Sequence, residues 1–186
     1  MTAAATPEKA ASEPKVKVYI DTMAFVYKLV NTRHRYFSQA NAFFRDIEQG
    51  KFVGVISTFE LAEFQSAIKS ILSKLKNTET PQGDVDKEMG RLNDFIGKMG
   101  IKLYNADVVL DTHPLVAFFR AEQLIGAAKS IKGTWSPDWH TIGGADAIHL
   151  VIAETVGVES YATFDQGFKG INGTSIKMLI LSEAYP

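Results

Sequence analysis

Hydrophobic residues in this chain fall into two alternating patterns, short continuous runs and longer stretches with helical spacing. The runs are rich in β-branched and aromatic residues, which is typical of strands. Several are apolar almost throughout, as expected when helices cover both faces of a parallel sheet. The five predicted strands are 16–20, 52–57, 101–105, 159–163 and 176–181.

The stretches between these runs predict helices. Their ranges are 22–30, 36–49, 58–76, 84–99, 114–131 and 145–156. The third has an apolar stripe of 3.6-residue period, made of Leu61, Phe64, Ile68, Ile71, Leu72 and Leu75. Gly50 is expected to end the second helix and Asp84 to cap the fourth. Strands alternating with helices predict an α/β fold with a mostly parallel sheet of about five strands.

The 186 residues suit one domain, which we expect to span 15–186. Residues 1–14 are rich in Ala, Pro and Glu and lack the apolar core of a signal peptide, so they predict a disordered tail. No apolar run approaches the roughly 20 residues of a membrane span, and we expect a cytoplasmic protein. Residues 132–144 predict a loop containing Trp135 and Trp139. These two side chains suit RNA stacking, anchoring of the loop or a dimer contact equally well.

Composition excludes several classes of function. The chain has no cysteine, which rules out disulfides, zinc–thiolate sites and thiol chemistry. Twenty Lys and Arg balance 21 Asp and Glu, for a net charge of −1. This balance argues against a protein that holds nucleic acid on a broad basic surface, but it leaves nucleic acid open as a substrate.

Acidic residues cluster where the predicted strands end. Asp21 directly follows the first strand, and Asp165 lies just beyond the fourth. Glu60 and Glu63 lie in the helix after the second strand, and Asp146 lies at the start of the last predicted helix. Ligands of open α/β sheets bind at the carboxyl ends of the strands, and carboxylate oxygens suit Mg²⁺ or Mn²⁺. The pattern therefore predicts a metal site of the kind that hydrolyses phosphodiesters.

Structural roles compete with this interpretation. An Asp after a strand is often only a helix cap, and Ser57 with Glu60 matches a capping box. Glu63 lies in an apolar run where a carboxylate needs a partner, so Glu63 is favoured over Glu60 as a ligand. His149 lies one turn after Asp146 on an apolar helix face, which favours packing over a role in the site.

Four segments carry a family resemblance. In chain order they are YIDTMAFVY, VISTFELAEF, GADAIHLVIAETVGV and YATFDQGFKGI. Together they resemble the PIN-domain family, above all the VapC-type ribonuclease toxins and their archaeal relatives. The resemblance runs across nearly the whole chain from residue 16 and implies a PIN-like three-layer α/β/α sandwich.

The resemblance also implies an activity and its residues. Asp21, Glu63, Asp146 and Asp165 would hold one or two Mg²⁺ or Mn²⁺ ions, and a metal-activated water would cleave RNA. The residues expected to support them are Thr22, Ser57, Glu60 and Thr163, with Thr163 resembling the family's orienting hydroxyl residue. The implied partners are RNA, a small antitoxin and a second copy of the chain in a homodimer.

Some features leave alternatives open. The family often has Asn where Met23 stands, which motivates a PIN-like binding or scaffolding module without activity. An RNA-processing nuclease without an antitoxin is another hypothesis. A phosphatase of a different α/β family is a weaker one, because Met23 stands where such enzymes usually carry a second Asp. Arg33 and Arg35 suit contact with RNA phosphates, although solvated surface charge explains them as well.

Overall fold

A computed structural model describes most of the chain. The described residues are 15–76, 78–111, 114–130, 142–169 and 171–186. The predicted tail 1–14 lies outside them, as do residues 131–141 with Trp135 and Trp139. The predictions for these segments therefore stay predictions.

Five parallel strands form one sheet in the order β3-β2-β1-β4-β5. They are β1 Val16–Ile20, β2 Phe52–Ser57, β3 Lys102–Tyr104, β4 Ser160–Thr163 and β5 Lys177–Ile180. The chain builds outward from β1 through β2 to β3 and then returns to β4 on the other side of β1. The strand order therefore switches between β1 and β4, where the carboxyl ends of an open α/β sheet form a crevice.

The helices follow the predicted pattern with three differences. Their bounds are α1 Thr22–Phe25 continued by a π-helical turn Val26–Val30, α2 Phe37–Glu48, α3 Thr58–Lys76, α4 Gln82–Met99, α5 Ala106–Asp111, α6 Pro114–Ser130, α7 Gly144–Thr155 and α8 Leu181–Ala184. The cap predicted for α4 is wrong, because Pro81 precedes the helix and Asp84 lies in its first turn. Helices α5 and α8 were not predicted, since six and four residues are too few to show a helical period.

Two apolar cores lie on opposite faces of the sheet. Side chains of β1 alternate, so that Val18 and Ile20 join one core and Tyr19 joins the other. Helices α1 to α4 cover the first face, and α5 to α7 cover the second. This arrangement is an α/β/α sandwich, which confirms the predicted fold class. Within the described part of the chain, no helix combines the length and apolar character needed to cross a membrane.

Candidate active site and metal centre

An open cleft of about 380 Å³ lies at the carboxyl ends of β1 and β4. Four carboxylates line it, those of Asp21, Glu63, Asp146 and Asp165. Its other lining residues among those described are Thr22, Met23, Ser66, Ala67, Ser70 and Phe168, none of which carries a positive charge. The tertiary structure thus brings together the four residues that the sequence pointed to.

Asp21 is fixed by both strands that flank the switch point. Its backbone N–H donates to the carbonyl of Ala162 in β4 at 3.0 Å. Its Oδ2 accepts the hydroxyl proton of Thr163 at 2.5 Å. As the cap of α1, its Oδ1 also accepts a longer hydrogen bond from the Met23 N–H at 3.4 Å. The carboxylate is therefore held at the mouth of the cleft by donors from two elements.

The hydroxyl of Thr163 joins two of the acidic residues. While it donates to Asp21, it accepts the backbone N–H of Asp165 at 2.9 Å. Asp165 in turn caps a short 3₁₀ turn, Gln166–Phe168, by accepting the Gly167 N–H at 2.7 Å. Thr163 is fully buried, so its hydroxyl orients this pair away from solvent competition.

The other two carboxylates are held through one oxygen each, as Asp165 is. Asp146 is the third residue of α7, and its Oδ2 accepts the Gly143 N–H at 2.7 Å. Glu63 Oε2 lies 2.9 Å from His149 Nε2 and 3.3 Å from the hydroxyl of Thr22. The second oxygens, Asp146 Oδ1, Asp165 Oδ2 and Glu63 Oε1, make no hydrogen bond within the described ranges. Each of these three carboxylates is oriented and keeps an oxygen available for a ligand, whereas both oxygens of Asp21 accept hydrogen bonds.

A second charged group lies beneath the cleft. It consists of Glu60 and His149, which we call the buried ion pair. Both side chains are only 2% exposed. Glu60 Oε2 accepts from the Thr22 N–H at 3.1 Å and from the Thr22 hydroxyl at 2.5 Å. His149 Nδ1 lies 2.8 Å from Glu60 Oε1, and its opposite nitrogen faces Glu63. Glu60 Oε1 and His149 Nε2 lack well-aligned hydrogen bonds, so these contacts are ion pairs held by charge.

The capping box predicted for Ser57 and Glu60 is wrong. The Ser57 hydroxyl shares a hydrogen bond with the Tyr19 hydroxyl at 2.7 Å, and Glu60 faces the start of α1. A buried carboxylate needs more compensation than one backbone amide offers. Thr22 supplies two donors and His149 a positive charge, which explains why Glu60 faces this way.

His149 is the residue of the site for which the sequence favoured a packing role. It does lie on the buried face of α7, between the rings of Phe59 at 4.8 Å and Tyr19 at 6.1 Å. It also contacts Glu60 and Glu63 at once. The signal in the sequence was its place one turn after Asp146, which its apolar neighbours in the helix outweighed.

The cleft and the buried ion pair differ in how far their charges are compensated by neighbouring side chains. Burial and the charge of Glu60 raise the pKa of Asp21 to about 7, despite the hydrogen bond from Thr163. Burial also raises the pKa of Asp146. Burial alone would lower the pKa of His149, but Glu60 and Glu63 raise it to about 10. The imidazole is therefore a cation at neutral pH. The cleft, by contrast, has no positive side chain in its described lining to offset its carboxylates.

The carboxylates of the cleft are of the ligand type that suits a divalent cation, although no three of them bring ligand atoms within 4.8 Å of one another in the described part of the chain. All four converging ligand groups are carboxylates, which suit Mg²⁺ or Mn²⁺. Among the described residues, Glu60, Glu63 and His149 do place ligand atoms within 4.8 Å of one another, and this group could hold a metal ion. An ion there would have to displace a proton from His149, whose pKa is raised, so the cleft is the less costly site.

The two arginines of the predicted RNA contact lie outside the cleft lining, between α1 and α2. Both are exposed. Arg35 stacks 4.7 Å from the Tyr36 ring centre and donates to the Tyr36 hydroxyl at 3.0 Å. Neither arginine forms a salt bridge with the residues that the structure describes.

Comparison with known proteins supports the fold. No protein-family model and no curated protein matches the sequence. Among solved structures, the chain is similar to one in the crystal structure of VapBC2 from Rickettsia felis bound to a DNA fragment from their promoter. The fold is PIN-like. The TM-score is 0.51 at 15% identity, and the match covers 87% of this chain and 96% of the other. At that identity the similarity extends to the fold alone.

Proposed function

We propose that this protein is a divalent-cation-dependent endoribonuclease. Asp21, Glu63, Asp146 and Asp165 would hold one or two Mg²⁺ or Mn²⁺ ions. The observation that carries the proposal is the convergence of these four carboxylates in one open cleft whose described lining has no positive side chain.

The side chains around the cleft prepare it for this chemistry. Thr163 fixes Asp21 and Asp165 in one orientation, and His149 holds Glu63 from below. When bound, a divalent cation would offset the negative charge of the cleft and of an approaching phosphodiester, and would lower the pKa of a coordinated water. Because the cleft is open at the sheet edge, it admits a polymer chain rather than only a small molecule.

For the biological role, we propose a toxin that binds protein partners. The similar structure is a VapBC2 assembly on promoter DNA, which supports an antitoxin partner here. Helix α6 exposes Val116, Phe118 and Phe119 at 64%, 58% and 58%. Exposed apolar side chains of this kind suit a protein contact, with an antitoxin or with a second copy in a homodimer. The cytoplasmic location stays a prediction.

A second candidate function is a binding module without activity. Met23 lines the cleft and places an apolar side chain where the family often has Asn. The His149 cation also offsets part of the charge of Glu63. Such a module would give no RNA cleavage under any metal condition, even if it folds normally.

The test is cleavage of structured and unstructured RNA with Mn²⁺, Mg²⁺ or EDTA. We expect cleavage with Mn²⁺ or Mg²⁺, none with EDTA, and a large loss in Asp21→Asn and Asp165→Asn. Asp94→Asn is the matched control, because this carboxylate is exposed on α4 and does not line the cleft. Cleavage that survives EDTA, or that persists in both cleft variants, would rule out the metal mechanism.

A further inference from the structure

A second, smaller pocket lies between the π-helical turn, α2 and α4, and it gathers positive charge. Its volume is about 120 Å³, and it shares no described lining residue with the cleft. Lys28 lies on the π-helical turn, Arg45 on α2 and Lys98 on α4. Glu48 is the single acidic residue in the described lining. We call this the cationic pocket, since three positive groups against one negative group leave it a net charge of +2.

The three cations of the cationic pocket are not neutralised by their neighbours. None of them forms a salt bridge with a residue that the structure describes. Lys28 is half-buried, whereas Arg45 and Lys98 are exposed. Burial and the charges of Lys98 and Arg45 lower the pKa of Lys28, and the charge of Glu48 opposes them only in part. Because like charges that lie close together repel each other, an added anion would stabilise this arrangement.

Lys28 is held in place by two contacts. Its Nζ donates to Asn41 Oδ1 and lies 6.0 Å from the centre of the Phe95 ring. An ammonium group can only donate, so the amide oxygen of Asn41 faces Lys28 and the amide NH₂ remains a donor. That NH₂ group has no hydrogen-bond partner within the described ranges. The pocket therefore offers two donors in fixed positions, besides the two exposed cations.

The π-helical turn Val26–Val30 supplies the half-buried cation of this pocket. Such turns are rare in proteins and occur frequently at functional sites. None of its five residues lines the cleft, so the metal chemistry proposed there gives the turn no role. Its one charged residue, Lys28, lines the cationic pocket instead. The unusual backbone and the unpaired charges thus occur at the same place in the fold.

We propose that the cationic pocket binds a small phosphate dianion, either inorganic phosphate or a small phosphate monoester. A net charge of +2 matches the charge of nearly −2 that a phosphate monoester carries at neutral pH, whereas each phosphodiester of a nucleic acid carries only one negative charge. The cations would make charge-assisted hydrogen bonds to the phosphate oxygens, and the Asn41 NH₂ would add a neutral one. The volume lies below the roughly 300 Å³ of pockets for drug-sized ligands, which suits a small ion.

Calorimetric titration of the full chain with inorganic phosphate tests the site. EDTA is present so that no divalent cation can bring phosphate to the cleft, and NaCl keeps the ionic strength constant. We expect saturable binding with a Kd on the order of 1 mM. The Arg45→Gln, Lys98→Gln double variant should weaken it at least about tenfold. The matched control is Lys102→Gln with Lys177→Gln, which removes two exposed cations of β3 and β5 and should leave the affinity unchanged.

Two results separate a binding site from a structural role of these side chains. Glu48→Gln removes the negative charge of the lining and should tighten phosphate binding about threefold, which misfolding cannot produce. Phosphate at ten times its Kd should raise the melting temperature of the wild-type chain by about 4 °C. The Arg45→Gln, Lys98→Gln variant should lose this rise without melting earlier in the absence of phosphate, because it also removes repulsion around Lys28.

Further titrations identify the class of ligand. Glycerol phosphate that binds more tightly than inorganic phosphate would assign a monoester, and the reverse order would assign free phosphate. Dimethyl phosphate has a single negative charge and should bind about tenfold more weakly than either. Equal affinity for dimethyl phosphate would overturn the proposed dianion.

Three other outcomes would overturn the proposal. Phosphate could fail to give saturable binding, or the two double variants could bind it equally well. A single-stranded RNA or a polyglutamate peptide could also displace phosphate from the wild-type chain at lower concentration than either phosphate compound, which would assign a macromolecular partner. Because no titration depends on RNA cleavage, failure of the cationic pocket and failure of the ribonuclease function are independent.

Discussion

The cleft and the buried ion pair are two neighbouring groups of charged residues that differ in charge compensation. In the buried ion pair, Glu60 accepts two hydrogen bonds from Thr22 and contacts the His149 cation, so its charge has partners within the protein. In the cleft, no positive side chain lines the pocket among the described residues, and burial together with the charge of Glu60 below raises the pKa of Asp21 to about 7. A buried charge with partners in the protein stabilises the fold, whereas carboxylates without a positive neighbour are stabilised when a cation binds.

The two regions meet at Glu63. One of its oxygens lies 2.9 Å from His149, while its carboxylate lines the cleft. Substitutions in the buried ion pair should therefore mainly lower the free energy of unfolding, and substitutions in the cleft should mainly lower the cleavage activity.

The largest effect is expected from His149→Ala. Without the cation, Glu60 is left buried and partly unpaired, which should lower the free energy of unfolding by about 3–5 kcal/mol. Denaturant unfolding measures this value. The double variant Glu60→Gln, His149→Gln removes both charges and should be less destabilised than His149→Ala. Equal losses would show that the pair contributes only its packing.

Asp165→Asn should have the opposite effect, a large loss of activity with little loss of stability. The Asn side chain keeps an acceptor for the Gly167 N–H, so the free energy of unfolding should change by less than about 1 kcal/mol. Loss of a ligand oxygen should reduce RNA cleavage at least about 100-fold. Cleavage rate and unfolding are measured on the same preparation, with Asp94→Asn as control. A loss of stability that matches the loss of activity would contradict the separation of the two regions.

The pH dependence of stability should separate the regions by their windows. A carboxyl whose pKa is raised from 3.8 to about 7 favours the folded state at low pH, and this contribution is lost as pH rises through that range. Without metal, stability should therefore fall by about 4 kcal/mol between these values. His149, raised from 6.5 to about 10, contributes fully below 6.5 and loses its contribution as pH rises to 10.

Thermal melting from pH 4 to 10 in EDTA and in Mn²⁺ resolves these windows. Asp21→Asn should remove the first decline and leave the second, and His149→Gln should do the opposite. Mn²⁺ should raise the melting temperature more at pH 8 than at pH 5, because it binds the ionised cleft. An Mn²⁺ shift that is independent of pH would place the cation elsewhere.

The smallest effect is expected from Thr163→Val. This substitution removes the hydroxyl shared by Asp21 and Asp165 and leaves the Asp165 N–H without its acceptor. We expect a loss of about 1 kcal/mol in stability and about tenfold in Mn²⁺ affinity, measured by calorimetric titration. Thr163→Ser keeps the hydroxyl and should retain most of that affinity. Equal Mn²⁺ affinity in Val and Ser variants would leave the hydroxyl without a role in the site.

Much of the architecture was predictable because it depends on local spacing. The bounds of β1, β2 and α3 agree with the prediction, since long apolar runs and a full helical stripe leave little ambiguity. Helix α5 was missed because six residues with adjacent valines carry no period. The start of α4 was misplaced because Asp84 has the chemistry of a cap but Pro81 provides the entry into the helix.

The sequence by itself determined the parallel α/β fold and the four acidic residues, because a parallel sheet sends the residues after its strands to one edge. Only the tertiary structure decided the partners of Glu60 and His149. A capping box and an apolar helix face are local patterns, and neither predicts the contact between Glu60 and His149, which lie 89 positions apart along the chain. Burial makes an unpaired charge so costly that long-range pairing outweighs local preference.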